Sequence, residues 1–291
     1  MRTDSTFHLV ISTVRGPEHL ARCLSTLEHE PESLFVTVVE QHEDQRCRSL
    51  VEPFIAAGRG EYVHEPVVRG VSRGRNRGMR QLRGRYVAFP DDDCWYPEGT
   101  LTAVREQFDR THDGQHVDGI AATIATPEGD KGLLRWLSTT TWVRPRTIPR
   151  TVSAASLFFR ADVVAVVGEF DPELGTGCAT PFGAGEEADY VQRALDHGYR
   201  MLYRADLAVY HREWRDDPDV DAVRAKVRRY NRGFARALRK HRQFGHLAYW
   251  VARSVVGVGA TTLRRDRPGR DHQLDQLVGR LQGWFSGPVP R

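Results

Sequence analysis

Short runs of β-branched and aromatic residues alternate with helical periodicity through the first half of the chain. Residues 7–13 and 85–90 read as buried strands, 34–40 and 119–126 as further strands, and 62–65 as a short one. Helical patterns fill 18–27, 49–57, 72–82 and 101–110. Strands separated by helices of about ten residues imply βαβ units and a mostly parallel sheet. Ligands of such sheets sit beyond the carboxyl ends of the strands. Attention therefore falls on the loops after Thr13, Glu40 and Pro90.

The second half is less regular. Residues 127–150 read as an irregular segment rich in Thr, Arg and Trp, and Trp136, Trp142 and, further on, Phe182 are candidates to stack on a ligand or to pack internally. Residues 152–160 read as a strand, 161–167 as a short helix, 168–185 as a glycine-rich loop, 186–197 as a helix and 200–211 as the last strand. From Val220 onward the pattern is helical and basic.

Composition narrows the class. The chain has 291 residues, 40% hydrophobic and 27% charged, which suits a globular protein and argues against wholesale disorder or a fibrous repeat. Cys23, Cys47, Cys94 and Cys178 are scattered without a CxxC pair, so neither a zinc ribbon nor a disulfide framework is indicated and reduced thiols are expected. The first apolar run, residues 7–11, is too short for a signal peptide. The net charge of +4 hides an asymmetry, because residues 212–291 hold 18 basic and 8 acidic side chains against 24 and 30 before them. That shift places a domain cut near Arg212. The expected organisation is a globular body over 1–211 followed by a basic helical extension over 212–291.

Four local patterns could carry chemistry. The first is Asp91-Asp92-Asp93, three carboxylates whose repulsion at a strand end asks for a cation. In an extended chain Asp91 and Asp93 would share a face and Asp92 would point away, and two oxygens on one face suit a hard divalent ion; a solvated acidic turn is the plain alternative. The second is Glu186, Glu187 and Asp189 in the first turn of a helix, where the dipole alone favours acids. The four glycines between Gly175 and Gly185 suggest instead a backbone shaped for close approach to a ligand. Crowded carboxylates are a common setting for a general base. The third is Arg73, Arg75 and Arg77 around a helix start, a grip for phosphate or a solvated basic helix end. The fourth is His211 at the end of the last strand, a metal ligand or a structural imidazole.

Taken in order, these segments resemble family 2 of the sugar-nucleotide-dependent glycosyltransferases, which have the GT-A fold: an α/β, Rossmann-like, mostly parallel sheet flanked by helices, here with a helical C-terminal extension. The likeness covers about residues 5–212. It rests on the strand ending at Thr13-Val14-Arg15, the strand ending at Glu40 where the family usually has Asp, residues 72–78, the aspartate triplet, Gly168-Glu169-Phe170-Asp171, residues 185–189 and the strand ending at His211. The resemblance implies an inverting, metal-dependent hexosyltransferase, its catalytic domain over 1–211 made of a nucleotide-binding half (1–97) and an acceptor half (98–211). Thr13, Arg15, Glu40, Arg75, Asp91 and Asp92 would bind the nucleotide sugar, a UDP- or dTDP-linked hexose. Asp93 and His211 would hold Mg²⁺ or Mn²⁺, and Glu187 would be the catalytic base with Glu186 and Asp189 as alternates. A glycan, lipid-linked or small-molecule hydroxyl would be the acceptor. The competing readings are a nucleotidyltransferase acting on sugar phosphates and a sugar-nucleotide-binding protein without catalysis. A nucleotidyltransferase usually carries a glycine-rich basic loop after its first strand, where Gly16 stands alone.

The segment from Leu247 to Leu263 contains Arg253 and two glycines and falls short of the ~20 apolar residues that span a bilayer. The basic extension has three readings: packing on the catalytic body or in a homodimer, lying on anionic lipid, or binding nucleic acid, which lacks a supporting module. The expected location is the cytoplasm, with attachment to the inner face of the membrane open.

Overall fold

The computed structural model describes residues 5–28, 30–131, 134–211 and 220–287. The chain divides into two compact units, Met1–Glu169 with Val191–Trp214, and Phe170–Tyr190 with Arg215–Arg291. The cut expected near Arg212 separates the last strand from the helices, but in the structure Phe170–Tyr190 groups with those helices.

The first unit begins with β1 (Ser5–Thr13), α1 (Pro17–Glu28), β2 (Leu34–Glu40), α2 (Arg48–Ala56), β3 (Gly60–His64), α3 (Val71–Gly78) and β4 (Gly84–Ala88). It continues with β5 (Cys94–Trp95), α4 (Thr100–Phe108), the small hairpin β6 (Thr111–His112) and β7 (Gln115–His116), then β8 (Gly119–Ala125) and β9 (Thr141–Trp142). The remaining elements are β10 (Leu157–Arg160), α5 (Ala161–Val167), β11 (Met201–His211) and α6 (Glu186–Asp196), whose residues up to Tyr190 belong to the second unit. The sheet order is β3-β2-β1-β4-β10-β8-β11-β5, with β9 also on β11. β10 is antiparallel to both β4 and β8, so β8 and its parallel neighbour β11 run in the same direction as β1 to β4. Their carboxyl ends therefore lie along one edge. All seven residues of β2 are buried, as expected of a parallel strand covered on both faces.

Two features of this unit escape a period-based reading. α3 ends at Gly78, a turn short of the predicted 72–82, and its Gly74 and Gly78 lie against Ser12 on β1 and Val10 on β1 so closely that no Cβ would fit. That approach brings the next residue, Arg75, under the sheet edge. β5 was read as loop; it is a two-residue strand pairing Cys94 with His211 and Trp95 with Tyr210. Arg22 stacks over the Trp95 ring at 3.5 Å and holds this short pair from its other side.

The second unit contains α7 (Val220–Lys240), α8 (Phe244–Leu263) and α9 (Arg267–Phe285). α9 approaches α7 through small residues, Gly279 lying against the Arg228 carbonyl and Gly283 against that of Arg232. The glycine-rich loop packs on α7 in the same way. A Cβ on Gly185, whose φ is +95°, would sit 2.8 Å from the Gly233 carbonyl oxygen. At Gly185 the close approach is thus to a helix backbone. Phe182 is buried with Leu174 and Ala237, so it packs internally. Asp189 is wholly buried and accepts from Lys240 Nζ and His241 Nε2, each at 2.8 Å, while Lys240 also reaches Asp171 at 2.7 Å.

Two outcomes follow from this packing. His8, on β1, is neutral in the fold: Nε2 meets Thr37 Oγ1 at 2.9 Å and Nδ1 accepts from the Arg83 N–H at 3.4 Å. Burial, with the Arg83 charge, pushes its pKa down from 6.5 to about 4. The unfolded chain then binds the proton more readily, so stability is present above pH 6.5 and lost as the pH falls towards 4. Between pH 7 and pH 5, denaturant unfolding of the wild type should lose about 2 kcal/mol more than that of His8→Gln; equal pH responses would overturn this. For the second unit, Asp189→Ala should cost about 1–3 kcal/mol, because it removes the buried acceptor that Lys240 and His241 share. An unchanged denaturation midpoint would show that the Asp189 contacts carry no stability.

Candidate active site

β1, β2, β4 and β11 all deliver polar residues to the same edge of the sheet. The strand order reverses between β1 and β4, the position where open α/β sheets bind ligands. Ser12 and Asp91 form a parallel bridge there, which extends the β1–β4 pairing up to the acidic triplet.

The triplet is a turn, with the Cys94 N–H donating to the Asp91 carbonyl at 3.1 Å. The alternation expected of an extended chain is thereby overturned, since a turn brings consecutive side chains to one side. Asp92 and Asp93, the pair expected to diverge, both face Arg15. Arg15 Nη1 donates to Asp93 Oδ2 and lies 3.9 Å from Asp92 Oδ1. The Thr13 hydroxyl donates to Asp92 Oδ2 at 2.6 Å and accepts from the Arg15 backbone N–H at 3.2 Å. His211 Nε2 is 3.3 Å from Asp93 Oδ1. Asp91 is the most exposed of the three and accepts from Arg75 at 2.7 Å.

These settings push identical residues apart. Burial raises Asp92 to about 6, although the Thr13 hydrogen bond and Arg15 oppose it. Burial would raise Asp93 too, but the His211 hydrogen bond and charge, with Arg15, hold it well below the usual carboxylate range. Despite burial of its own, the guanidinium of Arg15 is raised by Asp93 and Asp92. One carboxyl near neutrality and one always ionised now stand side by side.

Asp93, Cys94 and His211 bring one ligand atom each to within 4.8 Å of one another, all three residues being buried. Asp93 and His211 were expected here; Cys94 was not. Its signal was adjacency to Asp93, and only the β5–β11 register reveals it. Burial, with Asp91 and Asp93 nearby, raises its thiol well above the ordinary value, so it stays protonated. An ionised carboxylate oxygen with an imidazole nitrogen fits a hard divalent ion, and a protonated sulfur adds little to it.

The other predicted residues divide. Arg75 is 2% exposed and serves Asp91, Arg77 pairs with Glu65 at 2.7 Å, and Arg73 is exposed, so the three arginines do not form one grip. Glu40 is buried and accepts from the Arg46 and Cys47 N–H groups, both at 3.1 Å, and from the Tyr62 hydroxyl at 2.6 Å. Its carboxylate braces the loop after β2. Trp136 stacks on Tyr203 and Trp142 meets His112 edge-on, so both have internal partners. In the second unit Glu187 is half-buried, Glu186 is 7% exposed, and Asp189 is held as described.

Among solved structures, a mannosyltransferase from Pyrobaculum calidifontis, solved with GDP-Man and Mn²⁺, is similar over 98% of this chain and 88% of its own, at 15% identity and a TM-score of 0.68. TarS residues 1–349 from S. aureus are similar over 95% of this chain and 91% of theirs, at 14% identity and a TM-score of 0.59. The same fragment solved with UDP-GlcNAc gives 16% identity, 95% and 92% coverage and a TM-score of 0.59. Identities this low speak for the fold, which is of the GT-A type. No curated protein matches the sequence. The family model described as glycosyl transferase family 2 matches residues 9–164, more than half of the sequence and every strand from β2 to β10 with most of β1, and the chain belongs to that family.

Proposed function

We propose that this chain is an inverting glycosyltransferase that moves a hexose from a nucleoside diphosphate, UDP or dTDP, to an acceptor hydroxyl. The observation that carries the reading is the convergence of Thr13, Arg15, Asp91, Asp92, Asp93 and His211 at the carboxyl edge of the parallel strands. Family membership supports it. The mannosyltransferase and TarS complexes carry GDP-Man and UDP-GlcNAc; a hexose on a diphosphate is what those donors share.

Each residue has a role in this reading. Asp93 and His211 would hold Mg²⁺ or Mn²⁺, which when bound neutralises charge on the departing diphosphate. Arg15, paired with Asp93 and near Asp92, would stabilise charge on a diphosphate oxygen as the sugar–phosphate bond breaks. Asp91, the exposed member of the triplet, faces the ribose, and Arg75 fixes its orientation. Thr13 and Asp92 line the same pocket, and Glu40 shapes it by bracing the β2 loop. Glu187 accepts the acceptor's proton as its oxygen attacks the anomeric carbon from the face opposite the nucleotide. Exposure favours Glu187 over its neighbours, because Glu186 is buried and Asp189 is ion-paired out of solvent.

Two variants test the roles separately. Glu187→Gln should bind donor normally and transfer sugar at least about a hundredfold more slowly, read by product formation under saturating donor. Undiminished turnover would remove Glu187 from the role of base. Asp93→Ala should lose Mn²⁺-dependent affinity for UDP in calorimetry, and an affinity equal to wild type would remove Asp93 as a ligand.

A further inference from the structure

α8 presents an apolar face to solvent. Its twenty residues include no acid and one cation, Arg253, and only Leu247 and Ser254 are buried. At 3.6 residues per turn those two mark one side of the helix. The opposite side carries Tyr249, Ala252, Val256 and Leu263, with Gly245 and Gly259 between them and the exposed Phe244 and Val255 on one flank, in an arc without a charge. Val256 is 71% and Leu263 88% exposed. Single exposed apolar residues are ordinary, but a continuous stripe about 30 Å long is a contact surface.

The charges around the stripe identify its partner. The cations of α7 are largely engaged within their own unit: Arg224 and Arg228 with Asp275, Arg236 with Glu173, Lys240 with Asp171 and Asp189, and Arg239 with the Trp284 and Ser286 carbonyls. The exposed cations next to α8 are Arg242 before it and Arg264, Arg265 and Arg267 after it. An uncharged stripe with guanidinium groups at both ends is the pattern of a helix lying in a lipid headgroup layer. Pairing with a second copy would set arginine against arginine whether the two helices ran parallel or antiparallel, and polyanionic nucleic acid offers nothing to the apolar arc. Spanning the bilayer is not at issue, since no helix among the described residues is long and apolar enough to cross one.

We infer that α8 is a membrane-surface helix, its apolar arc seated at the headgroup boundary of an anionic bilayer and its terminal arginines on lipid phosphates. The inference stands apart from the catalytic reading, because vesicle binding is measured without donor or acceptor. The full-length protein should co-sediment with vesicles of phosphatidylcholine and phosphatidylglycerol at low salt, and less at high salt or with phosphatidylcholine alone. The double variant Val256→Asp/Leu263→Asp should bind at least about tenfold more weakly while melting as wild type does, since both sites are exposed. Arg264→Gln/Arg265→Gln should weaken binding only to the anionic vesicles. Wild-type protein left in the supernatant, or an aspartate variant that partitions like wild type, would overturn the inference. So would a sedimentation-velocity dimer that the aspartates abolish without any vesicle binding, which would assign the face to a second copy.

Discussion

Three adjacent carboxylates at the end of a buried strand cannot stand without compensation, and the sheet edge is arranged around that demand. Arg75 answers Asp91, Thr13 and Arg15 answer Asp92, and Arg15 and His211 answer Asp93. The partners come from α3, from the end of β1 and the loop after it, and from the end of β11, so they can meet only if those elements finish at the same edge. The parallel run of β1, β4, β8 and β11 satisfies this, with β10 inserted antiparallel between β4 and β8. The same compensation separates Asp92 from Asp93 in acidity. An edge with one carboxyl near neutrality and one firmly ionised suits a site that must bind cation and phosphate together.

What could be read from the chain alone follows the reach of each physical signal. β2 and α5 appear where the pattern places them, because an unbroken apolar run and a short β-branched helix are local features. The six-strand direction of the sheet follows from the helical spacers. The pairing of Cys94 with His211 does not, since two residues have no period and their partner lies far along the chain. The acidic triplet failed for a different reason: alternation of side chains holds only in extended backbone, and here the Cys94 N–H closes a turn. β11 likewise contains a shift of register between Arg204 and Ala208, where Arg204 folds back on Asp206 at 2.7 Å.

The second unit shows how composition can mislead about surface. A segment with so many arginines reads as a solvated basic face, yet Asp275 on α9 is 1% exposed and held by two arginines of α7. Arg280 is buried as well, donating to the Trp250 carbonyl and to Ser254. Arginine suits such duties because its planar fork satisfies several carbonyls at once. Glycine plays the complementary part, letting α9 and the loop before α6 come down to the backbone of α7. Many α7 cations are thus engaged within their own unit, while the apolar arc of α8 stays exposed.

The cysteine beside the proposed metal ligands bears on which ion the site would take. Cys94 belongs to β5, and its backbone pairs with His211, so its sulfur is carried to the site by the same contact that delivers the imidazole. A thiolate there would favour a soft ion over Mg²⁺ or Mn²⁺. Burial and the neighbouring carboxylates raise its pKa instead, and disfavour the thiolate. A buried thiol in that state behaves as a small apolar side chain. The carboxylates that call for a hard cation thus also raise the pKa of Cys94, the soft donor that lies beside Asp93 and His211.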